Sequence, residues 1–196
     1  MYLGFFSFQM IIIETNLSFS IYDPSIKVIG GSKVSTKLPV IKGLLNQVDT
    51  LILGGGLAFT FIKGLGVPVG NSLVEDSMIE TSQDLMTYAK QHNKKIVLPL
   101  DAVCGTSFPS KPVPIEETKT FDLVEGSDGI DDEWSGFDVG PKSISWFKKH
   151  ISGAAKVVFN GRWKVISIQA NFLYVLSADL LTFSMKLFVL RPHGCF

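Results

Sequence analysis

The chain has 196 residues, with 18 basic and 18 acidic side chains and a formal net charge of zero. That length suits one domain with a sizeable core, and the balanced charge excludes the basic footprint of a nucleic-acid binder. Two cysteines, Cys104 and Cys195, cannot make a disulfide framework, and the histidines at 92, 150 and 193 carry no zinc spacing, so no metal site is predicted.

Residues 1–13, MYLGFFSFQMIII, are almost all apolar, but they lack the basic start and small-residue cleavage site of a signal peptide. IKVIGG at 26–31 reads as a short strand closed by glycine. VSTKLPVIKGLLNQV at 34–48 then places Leu38, Ile41, Leu44, Leu45 and Val48 at helical spacing. Pro39 requires that this helix have it in the first turn, where the missing N–H costs nothing. DTLILGGG at 49–56 suits a buried parallel strand, and LAFTFIKG at 57–64 a short helix. Residues 75–92 form a third helical pattern, with Asp76 as the predicted cap and lysines near its end. KKIVLPL at 94–100 reads as another buried strand. Residues 101–139, rich in Pro, Gly, Ser and acidic side chains, read as a long excursion with a small hairpin. GPKSISWFKKH at 140–150 opens a helix with Pro141 at its first position, and AKVVFNG at 155–161 is the last predicted strand. The stretch 170–190 has the roughly twenty residues that a membrane-spanning helix needs, but carries Asp179 and Lys186. Neither apolar end is assigned as a membrane span.

Strands alternating with helices predict an α/β fold with a parallel sheet covered on both faces. Ligands of such sheets sit beyond the carboxyl ends of the strands. Three predicted strands end there in Gly30-Gly31, Gly54-Gly55-Gly56 and Asn160-Gly161. After the first come Lys33 and Lys37, four apart, in what reads as the first turn of a helix. Glycine lets a ligand approach the backbone, a helix N-terminus offers free N–H groups, and lysine offers a mobile cation. Together they point to a phosphate. The known short patterns do not fit: there is no P-loop, and Phe59 stands where a dinucleotide fingerprint needs its third glycine. On pattern alone two readings stand, a phosphate site and a set of glycines and lysines that merely close strands and meet water.

The motifs GGSKVSTK, LILGGGLAFTF, VGNSLVED, SGFDVGPKSI and VVFNG, in this order and at these separations, resemble phosphoglycerate kinase. They are similar to the nucleotide-binding C-terminal domain of that family, over about residues 26–161. The resemblance implies a three-layer α/β/α fold with a Rossmann-like parallel sheet, incomplete at its C-terminal strands. It implies phosphoryl transfer between 1,3-bisphosphoglycerate and ADP in glycolysis, with ADP or ATP carrying magnesium. Gly30, Gly31 and Ser32 would approach the nucleotide phosphates, Lys33 would stabilise the phosphoryl group in flight, and Lys37 would contact the other phosphates. Gly54, Gly55, Gly56 and Phe59 would form one wall of the adenine pocket, with Leu73 beside it. Gly136 and Phe137 would form the other, where the family usually has leucine for Phe137. Asn160 would reach the phosphates from the last matched strand.

From Arg162 onward the family's continuation is missing, including the ribose glutamate and the loop that holds magnesium through an aspartate. Before residue 26 the phosphoglycerate-binding domain is missing too. The resemblance therefore implies that residues 1–25 and 162–196 are apolar segments from outside the family's coding frame, as in a partial gene model or a spliced product. Such a chain would be a monomer, cytoplasmic as most of the family is (plastid and glycosomal forms exist), holding part of a nucleotide site and inactive alone. Two alternatives remain: a non-catalytic nucleotide-binding module, and a membrane-associated or interaction protein acting through its apolar tails.

Overall fold

The computed structural model describes residues 10–14, 25–106, 117–152, 156–160 and 186–189. The chain runs β1 (Met10–Glu14), β2 (Ser25–Gly30), α1 (Val34–Leu45), β3 (Thr50–Gly54), α2 (Gly56–Gly64), a 3-10 turn (Asp76–Met78), α3 (Ile79–Gln91) and β4 (Lys95–Val97). It continues through β5 (Asp101–Gly105), β6 (Lys119–Asp122), β7 (Ser135–Val139), α4 (Pro141–Ile151), β8 (Lys156–Asn160) and β9 (Lys186–Val189).

Among the described residues two sheets form. The larger has the order β4-β3-β2-β8-β1-β9, the smaller β6-β5-β7. Strands β4, β3, β2 and β8 are parallel, with Gly30 in register with Gly54 and Ile29 with Asn160. Side-chain alternation along β2 and β3 separates two cores. Ile26, Val28 and Ile52 meet Phe147 of α4 on one face, and Ile29, Leu51 and Leu53 meet α1, α2 and α3 on the other. This is the predicted three-layer α/β/α arrangement. The antiparallel β5-β6-β7 sheet packs against a further face of α2, through Ala58, Phe59 and Ile62 against Ala102, Cys104 and Phe121.

Several local expectations change. Pro39 lies in the interior of α1, the sixth residue from its start, and not in the first turn. The carbonyl left without a helical partner is that of exposed Ser35, which water reaches, while Val34, Lys37, Ile41 and Leu45 anchor the buried face. Asp76 caps nothing; it forms an ion pair with Lys63 at 2.8 Å. The strand read at 94–100 is only Lys95–Val97, at a sheet edge. The excursion at 101–139 contains a three-stranded sheet rather than a hairpin. β8 is followed by another strand, β9, which pairs with β1, and β1 pairs antiparallel with β8.

Candidate functional site

The order β4-β3-β2-β8 is reached by moving one way from β2 to β4 and then returning to the other side of β2 for β8. Adjacent loops leave in opposite directions at such a point and open a crevice at the carboxyl ends. Gly30, Gly54 and Asn160 end three neighbouring strands there. Only the backbone of Asn160 is described.

The loops after β2 and β3 touch each other through main chain. The Leu57 N–H donates to the Gly31 carbonyl at 2.9 Å. Gly55, at φ 70° and ψ −165°, takes a conformation open essentially to glycine and immediately precedes α2. A Cβ on Gly56 would stand 2.8 Å from Leu73 Cδ2 and 3.2 Å from the Ser32 carbonyl oxygen, so three segments converge on that glycine. Lys37 is buried with its stem against Gly31, whose Cβ would lie 3.3 Å from Lys37 Cγ. Lys33 is exposed and has extended backbone. It is the residue before α1, not part of its first turn, and Lys37 belongs to the second turn.

The second group of predicted residues is close by. The tip of the Phe59 ring closes on Gly136, where a Cβ would overlap Phe59 Cζ. The Gly136 N–H donates to Ser72 Oγ at 2.9 Å, and Ser135 Oγ donates to the Asn71 carbonyl at 3.0 Å. Phe137 is fully buried and leans on Gly105. Gly55, Phe59, Phe137 and Asp101 share one small crevice between α2, β5 and β7. The two expected walls of an adenine pocket thus touch through Phe59 and Gly136.

Three residues to which no site role was assigned from the sequence, Glu75, Ser72 and Asp101, hold this arrangement. Glu75 accepts from the Ser35 N–H at 2.9 Å and from Ser35 Oγ at 2.5 Å, and its own N–H donates to Thr60 Oγ1 at 3.1 Å. The Ser35 hydroxyl and amide hold the Glu75 carboxyl below its ordinary 4.5, against opposing desolvation and with help from the Lys33 charge and the Val34 N–H. Ser72 fixes Gly136 as described. Asp101, buried, accepts from the Lys142 and Ser143 N–H groups at 3.0 and 2.7 Å and from Ser143 Oγ at 2.6 Å, which caps α4. The available signal was negative: Lys33 and Gly140 precede helices without a capping side chain of their own, so an acceptor has to come from elsewhere.

Chemically, this is a binding surface of backbone and cations. Cys104 is no nucleophile, since burial pushes its thiol up to about 12. Among the described residues there is no group of three or more His, Cys, Asp or Glu that could hold a metal ion. No described helix is long and apolar enough to cross a membrane.

Comparison with known proteins bears on the same residues. The family model described as phosphoglycerate kinase matches residues 8–171, which takes in β1 as well as β2 to β8. Phosphoglycerate kinase of Thermosipho africanus is 41% identical over 146 residues, 74% of this chain and 35% of the relative. That of Aquifex aeolicus is 42% identical over 149 residues, 74% of this chain and 34% of the relative. The chain therefore spans about a third of the length of the curated relatives it matches. The structure of phosphoglycerate kinase from Coxiella burnetii is similar with a TM-score of 0.72 at 30% identity, over 83% of this chain and 40% of that one. The Pyrococcus horikoshii structure, TM-score 0.58 at 21% identity over 75% of this chain and 36% of that one, shares the fold.

Proposed function

This chain belongs to the phosphoglycerate kinase family, and on that premise we propose that it supplies the adenine-nucleotide side of a phosphoryl transfer between 1,3-bisphosphoglycerate and ADP. The observation that carries the reading is the meeting of the loops after β2 and β3, with Gly30 and Gly54 in register, Leu57 bonded to Gly31, and Gly56 against Ser32. Gly31 and Gly55 put no side chain between a phosphate and the backbone, and Lys33 and Lys37 follow the first of these loops.

In the reaction, the bond between the acyl oxygen and phosphorus breaks and a bond from a terminal ADP oxygen to phosphorus forms. Chemistry of this kind depends on positioning and on neutralising charge. Lys33, exposed at the end of its loop, neutralises the transferring group. Lys37, held along Gly31, serves the other phosphates. Gly30, Gly31 and Ser32 approach the phosphates through main chain, and Asn160 joins them from the end of β8. Gly54 to Gly56, Phe59 and Leu73 face Gly136 and Phe137 across the adenine side, and a base entering between Phe59 and Gly136 has to turn the Phe59 ring aside.

We assign the 196-residue chain nucleotide binding without turnover, because the described residues supply contacts for one of the two substrates. Purified chain is expected to bind MgADP in calorimetry and to form no ATP in a coupled assay with 1,3-bisphosphoglycerate. Lys33→Ala should weaken ADP binding about tenfold, the worth of one charge-assisted contact. Unchanged affinity would remove Lys33 from the site, and steady ATP formation would sink the assignment of binding alone.

A further inference from the structure

Residues 72–75 touch three parts of the proposed site, although none of them is assigned a phosphate contact. Ser72 holds Gly136, Leu73 covers Gly56, and Glu75 reaches the start of α1. From these contacts we infer that Glu75 is a positioning residue for phosphate recognition, fixing the start of α1 so that Lys33 stands at the phosphate. The inference rests on the nucleotide reading above.

Two amides that a helix N-terminus would ordinarily offer to an anion, those of Val34 and Ser35, are engaged by the Glu75 carboxylate. A nucleotide phosphate therefore meets Lys33 and the glycine backbone, not the end of the helix. Lys33 is the residue before Val34 and has no capping side chain of its own. Its backbone direction is set by the two amides that follow it. Glu75 is in turn held at both ends, by Ser35 Oγ at its carboxylate and Thr60 at its N–H. Thr60 is buried in α2, so α1 is tied to the helix that carries Gly56 and Phe59. Loss of the carboxylate frees the helix start and lets Lys33 swing with it.

The test compares ADP with adenosine on the full chain, in wild type, Glu75→Ala and Glu75→Gln, each below its own melting temperature. A positioning role predicts ADP binding about five- to tenfold weaker in Glu75→Ala, the scale of one lost helix cap, with adenosine binding unchanged. Glu75→Gln keeps an acceptor for Ser35 and should recover part of the loss. Equal weakening of both ligands would reduce Glu75 to a structural residue and overturn the inference. Tighter ADP binding would make the carboxylate a competitor of phosphate and overturn it as well. If wild type binds adenosine and ADP equally, the phosphate site itself fails, and this inference with it.

Discussion

Helices α1 and α4 both begin without a capping side chain of their own, and each is capped by a carboxylate from a distant part of the chain. Glu75, half-buried, reaches Ser35 across 40 positions, and their bond is open to solvent. Asp101 reaches Ser143 across 42 and has no exposed area. The same device gives different results because the surroundings differ. In the interior, the Ser143 donors lose water and turn to Asp101, so that junction is a fixed part of the core. At the α1 end, water competes for the same donors, and the contact stays adjustable beside a loop that has to receive a ligand.

Removing each carboxylate measures that difference. Asp101→Ala should cost the most, about 3–5 kcal/mol in urea unfolding, as expected when a buried hydrogen-bonded charge leaves its partners unsatisfied. A loss under about 1 kcal/mol would mean that water enters the junction and the two caps are alike. The middle case is Gly136→Ala, where the new methyl would overlap Phe59 Cζ. Overpacking of that kind costs about 1–3 kcal/mol, and an unchanged urea midpoint would show that Phe59 moves aside freely. The smallest effect is the pH dependence of Glu75. Its folded value is lowered, so its contribution is complete above the ordinary 4.5 and is lost as pH falls through the folded value. The difference in Tm between wild type and Glu75→Gln should be present at pH 7 and close in acid below 4.5. A gap that widens in acid would have the wrong sign.

The contrast also explains what could be read in advance. Apolar runs ending in glycine and helices of period 3.6 come from neighbours in sequence, and they placed β2, α1, β3, α2, α3 and α4 within a few residues. The glycine loops that meet at Gly31 and Gly56 were legible because only glycine suits a ligand's approach to main chain. MIIIE at 10–14 and KLFV at 186–189 were not legible as strands, since a short apolar run looks the same in a buried strand, a helix or a tail. Their pairing with β8 and with each other is antiparallel and non-local, and no local pattern encodes it.

Local chemistry thus settles the element types, the order of the glycine loops and the cations beside them, because each depends on residues a few positions apart. Tertiary structure decides which carboxylate caps which helix, that Phe59 closes on Gly136, and that Lys37 is folded away while Lys33 is exposed. Those outcomes depend on which surfaces lose water against each other, and that is set only when segments 40 or more residues apart are brought together.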